Sequence, residues 1–520
     1  MRRRDFCKTL GLAAAGAVAA PGAVAASLNS ATPKPPNLLY VFADQLRLHA
    51  LGFWRDPAFR DAIHTHADPV HTPNLDRLAR QSRVLTQACS THPLCSPHRA
   101  MLMSGMYPAN NGVMHMNCRA GRNLGLRHDI ACFTDVLGNA GYETAYIGKT
   151  HWERTEPLFD EHNRYVGTTD PPGGHYANDF DTYIPPGPGR HGNRYWFQNI
   201  GDRHKDPLSY ASRPELVAGK PDGTPHRHRR FTPEHEADIA IEFLRNRAGQ
   251  RDASRPFSLF WSPNPPHNPY SVVDRDCDRA VYERHYADMP TDHALYRPNI
   301  PAEARADAER CVRIYYALVT SIDQHLGRVL DTLDEIGETD NTLIVFTSDH
   351  GELMGSHGTR GKNVIYDESF LVPFIARFPG VLTPKADDLL LGTVDIMPTL
   401  LSLMGLGHQL PQTVQGRDYS AGLRSDDYTR VAKPSSALYL NGRDSKGIRT
   451  DRYTYLVRDD ASVELYDNRE DPYQLRSLSL GDVSAADGDM LRGELGQWLG
   501  QAGDAWHRQR TCPTLVDYSA

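Results

Sequence analysis

Four short apolar runs constrain the fold of this chain more than any other feature. Residues 37–43 end in Asp44, and residues 144–147 run into Gly148-Lys149-Thr150-His151. Residues 257–261 run into Pro265-Pro266-His267, and residues 342–346 end in Thr347-Ser348-Asp349-His350. Continuous apolar runs read as strands buried on both faces, the pattern of a parallel sheet. Helical signals alternate with them. Thr72 precedes Pro73, Thr232-Pro233-Glu234 repeats that cap before residues 237–245, and residues 318–337 carry apolar side chains near helical spacing. The prediction is an α/β fold, a large mixed and mostly parallel sheet flanked by helices. In open α/β sheets ligands bind beyond the carboxyl ends of the strands. Four strands followed by Asp, Lys, His and Asp-His therefore predict one shared site.

The 520 residues suffice for one large catalytic domain and a smaller companion. A 40% hydrophobic content provides a core, and a net charge of -7 argues against a nucleic-acid partner. Eight cysteines are too few for a disulfide scaffold; Cys89, Cys118, Cys132, Cys277, Cys311 and Cys512 have no pairing that spacing can assign. Residues 151–230 are rich in Pro, Gly, His, Asp and Tyr with little periodicity, and read as functional loops or a poorly ordered insertion. A helix begins near 392. Short strands at 437–440, 453–457 and 463–466, then a helix near 488–501, predict a C-terminal antiparallel α+β subdomain. The predicted division is a signal segment at 1–25, a catalytic domain at 33–425 and a subdomain at 426–520. In the signal segment, Arg3-Arg4-Asp5-Phe6-Cys7-Lys8 resembles a twin-arginine export signal, and Ala23-Val24-Ala25 offers a cleavage site. A membrane anchor is the alternative, for which the apolar run is short. The implied setting is bacterial, periplasmic or secreted, reached through the twin-arginine translocase, which exports folded proteins.

The segment Leu94-Cys95-Ser96-Pro97-His98-Arg99 opens a predicted helix and continues to Met103-Ser104-Gly105. A thiol at a helix start beside Arg has a lowered pKa, which suits a nucleophile or a redox centre; an inert packed cysteine is the alternative. Cys95-x-Pro97-x-Arg99 with Met103-Ser104-Gly105 resembles the sulfatase signature. Further elements of that family follow in order: Gly148-Lys149-x-His151, Pro266-His267-Asn268-Pro269, Asp349-His350-Gly351-Glu352, and Gly361-Lys362 before Tyr366-Asp367-Glu368. Thr72–Asp76, Val394-Asp395-Ile396 with Pro398-Thr399, and Leu465-Tyr466-Asp467 with Asp471-Pro472 are further family-like landmarks.

This resemblance implies an alkaline phosphatase-like fold and hydrolysis of a sulfate monoester on a sulfated small molecule or glycan. It implies oxidation of Cys95 to formylglycine by a formylglycine-generating or equivalent maturation enzyme. The hydrated aldehyde then supplies one hydroxyl to attack sulfur and another to expel sulfate. It also implies one divalent metal, Ca²⁺ first with Mg²⁺ or Mn²⁺ as alternatives, held by Asp44, Gln45, Cys95, Asp349 and His350. Asp349 would also accept the proton of the attacking diol. Arg99 would hold the formylglycine, Lys149 and Lys362 the sulfate oxygens; His151 would assist sulfate release, and His267 with Lys362 would serve the leaving alcohol.

One departure matters: many relatives carry two adjacent Asp residues where this chain has Asp44-Gln45. That pair also resembles phosphonate monoester and phosphodiester hydrolases of the same superfamily, which lack the Lys and His that this chain keeps at 149 and 151. A second rival is an inactive glycan-binding relative, opposed by the intact residue set. His92, His98, His115 and His357 flank the motifs and are read as packing histidines.

Overall fold

A computed structural model describes residues 34–116, 125–154, 181–201, 203–290, 297–441 and 444–504. The predicted signal segment, Cys118 and Cys512 lie outside these residues. Ten strands form the main sheet: β1 (Asn37–Ala43), β2 (Arg83–Leu85), β3 (Glu143–Lys149), β4 (Tyr195–Ile200), β5 (Leu208–Ala211), β6 (His226–Arg227), β7 (Phe257–Ser262), β8 (Thr342–Ser348), β9 (Phe374–Arg377) and β10 (Lys385–Asp387). Their order is β10-β2-β9-β8-β1-β7-β3-β4-β5-β6. The five central strands β8-β1-β7-β3-β4 run parallel, while β9 and β5 reverse direction on either side. The mixed, mostly parallel sheet is thus the one predicted.

The four apolar runs are four adjacent central strands. In β1, Leu39, Val41 and Ala43 face one core while Leu38, Tyr40 and Phe42 face another. In β8, Ile344 and Phe346 divide from Leu343 and Val345 in the same way. Helices cover both faces, so neither face can be polar, and the runs show no alternation.

Several elements differ in extent from the sequence reading. The helix read at 318–337 is Ala302–Glu335, 34 residues long. Residues 302–311 bury Ala304, Ala308 and Cys311, residues too small to give a strong apolar stripe. The second cap signal acts one position earlier: the helix runs Thr232–Arg245 with Phe231 at its cap. Region 151–230 is not all loop, because β4, β5 and β6 extend the sheet; residues 155–180 lie outside the described set.

A second sheet of four antiparallel strands follows: β11 (Ser436–Asn441), β12 (Ser445–Thr450), β13 (Tyr453–Arg458) and β14 (Val463–Asp467). β12, Ser-Lys-Gly-Ile-Arg-Thr, escaped the sequence reading because it looks polar. Its charges are buried in pairs, Lys446 with Asp504 at 2.7 Å and Arg449 with Asp367 at 2.8 Å. The helix Ala485–Ala502 covers this sheet with Leu491, Leu495 and Leu499, and Met101, Tyr107 and Val394 join the same core. The described residues from Pro35 onward therefore form one compact unit. We retain residues 33–425 and 426–520 as a proposed division; the helix Ser420–Ser425 ends at that point. Among the described residues, no helix is long and apolar enough to cross a membrane.

Candidate active site

The carboxyl ends of β8, β1, β7 and β3 lie side by side, so the residues that follow them converge. Asp44 follows β1, its amide bonded to the Pro263 carbonyl beyond β7 at 3.2 Å. Asp349 follows β8, its amide bonded to the Ala43 carbonyl at 3.1 Å. Lys149 ends β3. Gly148 lets that strand close on β7: its φ is +112°, and a Cβ there would stand 2.1 Å from the Ser262 carbonyl oxygen. Gln45 and His151 have φ near 67° and 60°, the left-handed region that a side chain resists. Both strained residues sit at this site.

Cys95 opens the helix Cys95–Ser104 from the facing side. Its Sγ lies 3.2 Å from His350 Nε2, 3.6 Å from Asp44 Oδ1, 3.5 Å from Lys362 Nζ and 4.0 Å from Lys149 Nζ. Burial opposes ionisation of the thiol, but Lys149, Lys362 and His350 outweigh it and hold its pKa well below the ordinary value. His151 adds a side-chain hydrogen bond to the same sulfur. The motif helix thus delivers a polarised sulfur into a cluster of fixed positive charge.

Arg99, one turn further on, is fully buried. It donates to Asp349 Oδ2 at 3.0 Å, Asp44 Oδ2 at 3.2 Å, Ser262 Oγ at 2.6 Å and the Lys149 carbonyl at 2.9 Å. It therefore fixes two carboxylates relative to each other. Lys149 Nζ lies 2.7 Å from Asp44 Oδ2. Burial and the Cys95 sulfur raise the pKa of Asp44, but Lys149, His267 and Lys362 outweigh both and drive it well below the usual carboxylate range. Burial and the nearby Asp44 push Asp349 the other way, upward. His267 is 6% exposed, and its Nδ1 donates to the Asn268 carbonyl at 2.7 Å.

All ten predicted site residues thus come together. Asp44, Cys95, Asp349 and His350 offer donor atoms within 4.8 Å of one another. His350 Nδ1 donates to the Gly351 carbonyl at 3.0 Å, which leaves the Nε2 lone pair facing the cluster. Nε2 stands 3.5 Å from one oxygen of Asp44 and 3.5 Å from one of Asp349, a spacing suited to donors around one divalent ion. Burial disfavours a charge on this ring, yet Asp349 raises its pKa, so the pocket attracts a cation. The donor set fits a metal.

Sequence reasoning gave no role to Glu352, Tyr270 or Ser262. Glu352 is fully buried; its Oε2 accepts from the Gln45 amide and from Tyr270 OH at 3.1 Å, and its Oε1 from the amides of Met354 and Gly361, each at 2.8 Å. It fixes which way the Gln45 amide points, so that Gln45 Oε1 accepts from Lys362 Nζ at 2.6 Å. Its place beside Asp349-His350 was the available signal. Elsewhere, His98 sits between Ser90 Oγ and Thr393 Oγ1, and His357 stacks on Tyr366 at 3.5 Å. His92 is buried near His115 and Lys446. Among the described cysteines, Cys89, Cys95, Cys132, Cys277 and Cys311 are free thiols.

The sulfatase family model matches residues 36–406. The chain belongs to the sulfatase family. This type I sulfatase is a sulfuric ester hydrolase, and a model named N-sulphoglucosamine sulphohydrolase, C-terminal, also matches at residues 355–496. The sulfatase is 38% identical over 508 residues to an endo-4-O-sulfatase of Bacteroides thetaiotaomicron, covering 93% of this chain and 95% of that protein. It is 30% identical to an ulvan-active sulfatase of Formosa agariphila, covering 86% and 77%. A solved structure from work on glycosaminoglycan metabolism by B. thetaiotaomicron matches with a TM-score of 0.83 at 37% identity, over 93% of this chain and 100% of that one.

Proposed function

We propose that this protein is an exported sulfatase that removes a sulfate monoester from a sulfated carbohydrate, using a formylglycine made from Cys95 and one divalent ion. The observation that carries the reading is the meeting of Cys95 with Asp44, Lys149, His350 and Lys362 inside about one residue's span. The sulfur marks where the oxygens of formylglycine would stand. Oxidised and hydrated, residue 95 supplies one hydroxyl to attack sulfur and a second to expel the sulfate. The ion, Ca²⁺ first by its hard oxygen donors and Mg²⁺ or Mn²⁺ otherwise, would be held by Asp44, Gln45, Asp349, His350 and residue 95, and supplies charge stabilisation to sulfate oxygens.

The remaining work falls to fixed side chains. Lys149 and Lys362 bring their ammonium groups within 4.0 and 3.5 Å of the residue 95 sulfur, where they bind sulfate oxygens and meet the charge that grows during transfer. Asp349, with its raised pKa, takes the proton of the attacking hydroxyl. His151, at the same sulfur, takes the proton of the second hydroxyl when sulfate departs. His267, its Nδ1–H held on the Asn268 carbonyl, would give a second proton, from Nε2–H, to the leaving oxygen, and Lys362 assists it. Arg99 holds both carboxylates in place and balances their charge.

Glycan specificity is read from the relatives and from the second sheet. Asn363, next to Lys362, donates to Asn441 Oδ1 at 2.8 Å, so the C-terminal subdomain adjoins the loop that carries a sulfate-binding lysine. The resemblance to an endo-4-O-sulfatase makes an internal 4-O-sulfate the first ester to assay. The test is product release by the mature protein with Ca²⁺, Mg²⁺ or Mn²⁺. Substrates are 4-O-sulfated and other sulfated glycans, an aryl sulfate, an aryl phosphodiester and an aryl phosphonate, with Cys95→Ala as the blank. Sulfate release from one glycan class supports the proposal. Turnover of the phosphodiester or phosphonate with no sulfate released overturns it and makes Gln45 the better guide.

A further inference from the structure

Away from the active site, three side chains of different chemistry bring a thiol, a carboxylate and an imidazole to one point. They are Cys132 and Asp135, at the start of the helix Phe133–Asn139, and His191, after the turn Pro188–Arg190. Their donor atoms all lie within 4.8 Å of one another. His191 Nδ1 is 3.4 Å from Asp135 Oδ2. A tetrahedral ion bound by nitrogen and oxygen at about 2.0–2.1 Å sets those two atoms about 3.4 Å apart.

The backbone delivers the ring to this point. His191 has a φ of 44°, in the left-handed region, and its carbonyl accepts from Thr134 Oγ1. Gly192 lies so close that a Cβ would stand 3.0 Å from Asp135 Oδ1. The imidazole is 2% exposed, and its Nε2 is buried with no hydrogen-bond partner. A buried ring with an orphaned nitrogen costs stability unless the other nitrogen is well used.

We propose that Cys132, Asp135 and His191 form a second metal site, apart from the one at residue 95, that takes a Zn²⁺-class ion with water in the fourth position. Sulfur, nitrogen and oxygen together favour such an ion over Ca²⁺ or Mg²⁺, which the oxygen-rich active site suits. A thiolate and a carboxylate cancel a double positive charge, so the bound centre is neutral and inexpensive to bury. Asp135 remains partly exposed and gives an entry path. The ion would fasten the turn that leads into β4. That strand donates from Gln198 Nε2 to Thr150 Oγ1 at 2.8 Å, next to Lys149, so the clip steadies the strand beside the active site without touching substrate.

The test uses the mature chain carrying Cys95→Ala, which removes the active-site sulfur, titrated with Co²⁺ and then Zn²⁺. The expected result is a sulfur-to-cobalt charge-transfer absorption at one equivalent, abolished by Zn²⁺ and absent after Cys132→Ser. His191→Gln should weaken Co²⁺ binding on the order of 10-fold or more while leaving the far-ultraviolet spectrum unchanged. With Ca²⁺ saturating the active site, Zn²⁺ should raise the melting temperature of the parent and not of either variant. A charge-transfer band that survives Cys132→Ser or His191→Gln at full affinity, or its absence from the parent, overturns the proposal. If Cys132→Ser does not fold, the His191→Gln titration decides alone.

Discussion

Glu236 gives the sharpest stability prediction because its surroundings are closed. It lies in the helix Thr232–Arg245, fully buried, with Oε2 accepting from Trp261 Nε1 at 2.9 Å and Oε1 from the Asn199 amide. Burial, against these two hydrogen bonds, raises its pKa from 4.5 to about 8. The folded protein therefore keeps a proton that the unfolded chain releases above pH 4.5. The stability linked to this group is fully present below about pH 4.5 and is lost as pH rises to about 8. The slope is about 1.4 kcal/mol per pH unit, or about 5 kcal/mol across the window. Glu236→Gln has no proton to lose. Its carbonyl can accept from Trp261, and its amide can donate to Asn199 once that side chain turns over, because the Ser209 hydroxyl at 2.6 Å from Asn199 Oδ1 can switch from donor to acceptor. The variant should gain on the wild type by about 1.4 kcal/mol per unit between about pH 5 and pH 8. Denaturation midpoints of both proteins, at fixed divalent ion and several pH values, measure the difference; titrations common to both cancel. A difference that does not change with pH would refute the reasoning and mean that Glu236 is ionised in the fold.

Four further outcomes follow from the site. Cys95→Ala should fold with an unchanged far-ultraviolet spectrum yet lose turnover by on the order of 10⁴-fold or more, since it removes the nucleophile; mass spectrometry of the wild-type peptide should show the formylglycine mass at residue 95. Lys149→Ala removes a cation 2.7 Å from Asp44 and should lower kcat/KM by about 10²–10³-fold, measured on an aryl sulfate. Chelation should abolish activity and lower the melting temperature, because an ion that binds only the folded state stabilises it; Ca²⁺ or the native ion should restore both. Glu352→Gln should weaken divalent-ion affinity by about 10–100-fold, seen as activity that recovers only in excess ion.

The sheet and the site were legible in the sequence for one physical reason. Strands buried on both faces must be apolar throughout, so their ends stand out; Lys149 closes one of them, and Asp44, His267 and Asp349 follow the others. The start of the helix Ala302–Glu335, residues 302–311, was not legible because its buried positions are Ala304, Ala308 and Cys311, whose contribution comes from close approach rather than from bulk. β12 was hidden for the opposite reason. Lys446 and Arg449 are buried against Asp504 and Asp367, partners 58 and 82 residues away in the chain, and no local pattern announces such a pair. Glu352 was visible as a letter beside Asp349-His350, but its task depends on Gln45, 307 residues earlier.

Gln45 is the departure that most complicates the family pattern, and its neighbours give the departure a physical account. An Asp at that position would bring a charge; Gln brings a carbonyl oxygen and an amide that must be satisfied in a buried site. Glu352 satisfies the amide, and in doing so places its own buried carboxylate one side chain behind the donor set. The negative charge lost at position 45 therefore remains nearby, moved back from a donor position to a hydrogen-bonding one. This is why Glu352→Gln should act at a distance. The new amide would keep its carbonyl toward the Met354 and Gly361 amides and turn its NH₂ toward Gln45. To meet that donor, Gln45 must turn over, which removes its Oε1 from Lys362 and presents an NH₂ to an ammonium group and to the ion pocket. One uncharged substitution behind the site thus reverses a dipole inside it, which a merely structural residue at 352 would not do.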